Sequence, residues 1–154
     1  MTRTQKYPNT ESFVYENVNP KNRITGDCTI RALAGAMNIP WEEAFKGLRD
    51  VELKLCKCDD SAINTYLKNN GWIKHKQIRH DDNTKYTGKE FVKYLSINFP
   101  YAEIGNVIVR VANHMYCIKP TYDKESDGFN CKYKIHDIWD SSNCCVGNYW
   151  IKEK

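Results

Sequence analysis

The chain lacks any long apolar run: no stretch approaches the roughly 18 apolar residues that a membrane-crossing helix needs. Its first segment, MTRTQKYPNTESFVYENVNP, lacks the apolar h-region of a secretory signal. These two absences predict a cytoplasmic protein with no membrane partner. There is no internal repeat and no low-complexity tract. There is also no run of one charge. The net charge of +4 is spread among interleaved acids, which favours solubility and offers no nucleic-acid face. The most basic stretch, His75 and His80 among Lys74, Lys76 and Arg79, has few aromatic residues on which bases would stack. It reads as a solvated strand and loop, and no nucleic-acid partner is expected.

A further absence is the C-x-x-C spacing of zinc sites. The seven cysteines are Cys28, Cys56, Cys58, Cys117, Cys131, Cys144 and Cys145. An odd count without an export signal argues against a disulfide framework. Cys56-Lys57-Cys58 and the adjacent Cys144-Cys145 do not have zinc-knuckle spacing. Free thiols, no metal and no cofactor are therefore expected.

What the chain does have is a core. With 154 residues, 41% of them apolar and ten tyrosines, it is sized for a single domain spanning 1–154. Residues 1–26 read as an irregular lead-in with a short strand at Ser12–Val18. A helix follows Asp27, with Ile30, Leu33, Ala34 and Met37 on one stripe. Pro40 opens a second helix, from Trp41 to about Leu55, with Glu42 and Glu43 in its first turn, where the helix dipole favours them. A third spans about Ser61–Asn69 and stops at Gly71. Residues 72–79 alternate as a strand, and Thr87 caps a fourth helix over about Gly88–Asn98.

The period then switches to two. Asn106–Lys119 is the strongest strand signal, followed by a polar turn at 120–130 and strands at Cys131–Asp140 and Val146–Lys152. Helices first and strands last predict an α+β domain, its N-terminal helices packed on a C-terminal antiparallel sheet.

Within this frame Cys28 occupies a helix N-terminus, where about half a positive charge and unpaired N–H groups stabilise a thiolate. Most single cysteines are small buried hydrophobes, so position alone does not decide its role. His114 stands inside the strongest strand, where an imidazole needs a partner for each ring nitrogen. If the next strand pairs with it, alternation lets either Asp137 or Asp140, but not both, face His114 and fix its tautomer. Both acids also read as solvated edge and turn residues.

The segment Gly26-Asp27-Cys28-Thr29-Ile30-Arg31-Ala32-Leu33 resembles the nucleophile segment of compact papain-like cysteine peptidases of bacteria and phages. His114 on one strand, followed by His136-Asp137-Ile138-Trp139-Asp140 on the next, is similar to their base and orienting-acid segments. The resemblance rests on three short segments between about residues 20 and 150, and on their order. It implies a papain-like fold and a protein or peptide substrate. It also implies Cys28 as nucleophile, His114 as base and Asp137 as orienting acid, with Asp140 the fallback. An oxyanion donor is expected about six residues before the cysteine, where Asn22 stands in place of the family's usual Gln. Asn19, or the Cys28 backbone N–H with another donor, are the alternatives. Trp139 shields the His–Asp pair in this reading or is a plain core tryptophan. The expected chemistry is hydrolysis of an amide, isopeptide or thioester through an acyl-thioester, or acyl transfer to an amine. A protein- or peptide-binding module on the same scaffold, without turnover, is the alternative.

Overall fold

The computed structural model describes residues 7–122 and 131–152. Its elements run β1 (Phe13–Tyr15), α1 (Cys28–Met37), α2 (Trp41–Leu55), α3 (Asp60–Asn69), β2 (Trp72–His75) and α4 (Gly88–Asn98). Four more strands follow: β3 (Val107–Val111), β4 (His114–Tyr122), β5 (Cys131–Asp137) and β6 (Tyr149–Lys152). The architecture is α+β. Among the described residues no helix is long and apolar enough to cross a membrane.

The helix ends follow from local chemistry. Thr87 and Glu90 form a reciprocal capping box at α4: Thr87 Oγ1 accepts from Glu90 N, and Glu90 Oε1 from Thr87 N. Asp59 caps α3 one residue earlier than the sequence suggests, its Oδ1 accepting the Ser61 N–H. α2 opens on Pro40, which has no capping side chain, and in α1 Asp27 holds the N-cap position yet its side chain makes no capping bond.

The six strands form one sheet in the order β1-β5-β4-β3-β6-β2. It is mixed, which corrects the all-antiparallel expectation: β1 lies parallel to β5, Phe13 opposite Ile135 and Tyr15 opposite Asp137. A strand from the start of the chain closes the edge beside β5, a long-range pairing that local periodicity does not encode. Glu16, just after β1, pins this edge, its carboxylate meeting His136 Nδ1 at 2.6 Å and Lys119 Nζ at 3.3 Å.

The expected long strand over Asn106–Lys119 is a hairpin. Val111 pairs with His114 across a two-residue turn in which Asn113 is left-handed, at φ 56°. Asn tolerates this conformation better than most residues, so the chain reverses without a glycine. The expected turn at 120–130 is partly strand, since β4 reaches Tyr122, and residues 123–130 lie outside the described residues. β5 ends at Asp137, β2 at His75, and β6 begins only at Tyr149.

Alternation along the strands gives the sheet two apolar faces. Ile108, Met115, Cys117 and Trp150 pack with α1, α2 and α3. Val107, Val109, Tyr116, Ile118 and Ile135 pack with Phe91, Val92 and Leu95 of α4. The helices therefore cover both faces, making three layers. Gly35 allows a close contact between layers: a Cβ there would stand 2.8 Å from the buried Cys117 Sγ. That fit seats α1 flat on β4, so its N-terminus meets the end of the sheet where β4 begins and β5 ends.

Candidate active site

The site collects at that sheet end. Cys28 is the first residue of α1, His114 the first of β4 and Asp137 the last of β5. The β4–β5 register sets Cys117 opposite His136, so one step further Asp137 faces Tyr116 and lies diagonal to His114. That diagonal brings His114 Nε2 within 2.6 Å of Asp137 Oδ2, with both side chains buried. With Nε2 engaged, Nδ1 is the ring nitrogen left for the half-buried Cys28 thiol.

The electrostatics follow from these contacts. The hydrogen bond to His114 draws the Cys28 thiol down to about 7, overcoming burial, with help from the Met115 backbone. Burial works against a charged His114, but the hydrogen bonds to Asp137 and Cys28 outweigh it and lift the imidazole to about 9. Between these values the thiolate–imidazolium pair is the favoured form. The other buried cysteines behave oppositely: burial pushes Cys117 up to about 12 and also raises Cys131.

Asp137 is the acid at His114. Its Oδ1 accepts from Arg31 Nη1 at 2.8 Å and from the Ile138 N–H at 2.8 Å, which fixes the carboxylate plane. Asp140 is turned away, accepting the Ser142 N–H at 3.1 Å. Trp139 lies edge-on to His114, ring centroids 4.8 Å apart and planes at 70°. At 37% exposed it covers the imidazole from solvent and is not a core tryptophan.

Arg31 is the residue that sequence reasoning missed. Besides Asp137, its guanidinium holds Asp27, Nε to Oδ1 at 2.8 Å, and all three side chains are almost fully buried. Asp27 Oδ2 in turn accepts from Trp41 Nε1 at 2.9 Å and Asn19 Nδ2 at 3.0 Å. The contacts close on themselves. Cys28 meets His114, His114 meets Asp137, Asp137 meets Arg31, Arg31 meets Asp27, and Asp27 is covalently joined to Cys28. The signal was present in the sequence, since Arg31 lies four residues after Asp27 on a helix otherwise built from Ile30, Ala32, Leu33 and Ala34.

The same ring explains the uncapped helix. With the Asp27 carboxylate drawn away to Arg31, Trp41 and Asn19, it caps none of the first-turn N–H groups. The first helical bond runs from the Arg31 N–H to the Asp27 carbonyl. The N–H groups of Cys28, Thr29 and Ile30 therefore have no carbonyl four residues back in the helix. These are the donors beside the thiol. Asn19 is not among them, because its amide is held by Asp27 and its Oδ1 accepts from Lys21 N. Asn22, the expected oxyanion residue, is exposed, sits at φ 53°, and bonds through its backbone to the Asn19 carbonyl.

A groove of about 370 Å³ opens between α1, α2 and the start of α3. Gly26, Asp27 and Thr29, which flank the thiol in sequence, form one wall. Compared with known proteins, the chain matches no family model, no curated protein and no solved structure.

Proposed function

We propose that this chain is a papain-like cysteine hydrolase, with Cys28 as nucleophile, His114 as base and Asp137 as orienting acid. The observation that carries the reading is the convergence of a lowered thiol, a raised imidazole and a buried carboxylate from three separate elements. A structural histidine does not require a half-buried thiol on its second nitrogen, and a buried structural cysteine is raised, as Cys117 is.

The thiolate attacks the carbonyl carbon of an amide, isopeptide or thioester. The carbonyl π electrons move to the oxygen, and the uncapped N–H groups at the start of α1 stabilise the resulting oxyanion. His114 passes its Nδ1 proton to the leaving group as the bond to carbon breaks, leaving an acyl-thioester on Cys28. Neutral His114 then takes a proton from water, whose oxygen displaces the thiolate and releases the acid. Asp137 holds the imidazole by Nε2 through both steps and stabilises its charged form. Arg31 positions Asp137 against the helix that carries the nucleophile.

The test is acyl-enzyme trapping with a peptidyl p-nitrophenyl ester, followed by intact mass and peptide mapping after acid quench. The reading expects one acyl group, on Cys28, formed with a burst of nitrophenol and absent in His114→Ala. Acylation spread over several cysteines, or none on Cys28, would support the binding-module alternative.

A further inference from the structure

We infer that Glu16 and His136 are a positioning pair for the reaction: they hold the main chain of Asp137, and through it the carboxylate that orients His114. The inference rests on the hydrolase reading and adds to it two residues from outside the triad.

Asp137 is held twice, by different means. Arg31 and the Ile138 N–H fix its side chain. Its main chain lies one residue past the β4–β5 register, which stops at Cys117 opposite His136. The register with β1 does reach it: Tyr15 stands opposite Asp137, and the Glu16 N–H donates to the Asp137 carbonyl at 2.9 Å. The strand that carries the acid is therefore tied down at this end from the β1 side.

β1 alone is a poor fastening. It is three residues long and lies at the sheet edge, where short strands fray. Glu16 supplies what the strand lacks. Its Oε2 accepts from His136 Nδ1 at 2.6 Å and its Oε1 from Lys119 Nζ at 3.3 Å, so the residue after β1 is bound to both β5 and β4. The hydrogen bond from His136 holds the Glu16 carboxyl well below the usual range, at about 2, with Lys119 helping against partial burial. A carboxyl lowered in this way keeps its contribution above the ordinary carboxylate range and loses it only as the pH falls towards 2. Glu16 thus stays charged wherever Cys28 and His114 titrate, and the clamp is constant there. Glu16, His136, Arg31 and Asp137 also line one cavity of about 10 Å³, room for about one water, so the two charge pairs face a single space. The contact they protect tolerates little movement. At 2.6 Å the His114–Asp137 hydrogen bond is short and charge-assisted, and it weakens as the strand end shifts.

The experiment follows iodoacetamide labelling of Cys28 by peptide mapping at about pH 7 and about pH 9.5, with NMR titration of the His114 ring. Thermal unfolding confirms the fold of each variant. Glu16→Ala should lower the His114 midpoint from about 9 and raise that of Cys28 from about 7, each by about one pH unit. Labelling then slows about fivefold at the lower pH and not at the higher one. His136→Leu, which releases the Glu16 carboxylate, should do the same, and it decides the matter if Glu16→Ala does not fold. Glu16→Gln keeps an acceptor for His136 Nδ1 and should label within about twofold of the wild type. Glu11→Gln loosens the other end of this edge, where Glu11 meets Lys132 at 3.8 Å, and should leave both titrations in place. Unchanged titrations in the folded Glu16→Ala and His136→Leu proteins, a loss of equal size at both pH values, or a matching loss in Glu11→Gln overturn the positioning role while the hydrolase reading stands. A wild-type Cys28 that labels no faster than the other cysteines overturns both.

Discussion

Replacing Arg31 with methionine removes one guanidinium and leaves two buried carboxylates, Asp27 with no counter-charge and Asp137 with His114 alone. The side chains are 7%, 8% and 2% exposed, so little water is available to compensate. Breaking a buried pair from one side costs about 3–5 kcal/mol, a large share of the roughly 5–15 kcal/mol that stabilises a domain. For a chain of this length the corresponding drop in Tm is about 6–20 °C. The charge on Asp137, no longer shared with Arg31, then acts on His114 alone. The imidazolium is held more firmly, and its titration, near 9 in the wild type, moves to higher pH. Arg31→Lys should fall between, because one ammonium cannot bridge two carboxylates as a forked guanidinium does. Circular dichroism melts give the stability change, and NMR titration of the His114 ring C–H signals gives the shift. If Arg31→Met melts within about 2 °C of the wild type and His114 titrates unchanged, the closed ring of contacts is not what holds the site together.

Two further substitutions separate the acids that sequence alternation left open. Asp137→Asn removes the carboxylate at His114 Nε2, so the imidazole should titrate well below 9 and Cys28 should lose thiolate at neutral pH; NMR titration and thiol alkylation read the two effects. Asp140→Asn keeps an acceptor for the Ser142 N–H and should leave both titrations in place, so a shift like that of Asp137→Asn would reverse the assignment.

How much of this was legible depended on whether the determinants were local. α2 and α4 carry their own punctuation, in Pro40 and the Thr87–Glu90 box, α1 has its apolar stripe, and the structure gives all three their expected bounds. The hairpin at Ala112–Asn113 was hidden because both arms are equally β-prone and the turn contains no glycine. The parallel pairing of β1 with β5 joins residues more than a hundred apart, and three residues of strand carry too little pattern to announce a partner. At the site, Cys28, His114 and Asp137 are brought together, whereas Asp140 and Asn22 are not. Asn22 was placed by its distance from the cysteine along the chain, and a left-handed residue in an exposed loop does not keep that distance in space. In the sequence Arg31 is a single charged residue among the apolar residues of α1. Its partner Asp27 looked like an ordinary N-cap, and only the packing of α1 against β4 turns both inward.

The central claim is that His114 activates Cys28, and the most direct measurement is alkylation of the native protein by iodoacetamide across about pH 5 to 9, with peptide mapping of every cysteine. Cys28 should react ahead of the other six, with its rate rising through a midpoint near 7. In His114→Ala that midpoint should return towards the free-thiol value of about 8.5. If Cys28 titrates with the remaining cysteines, or keeps its low midpoint after His114 is removed, the pair is not the reactive centre of this protein.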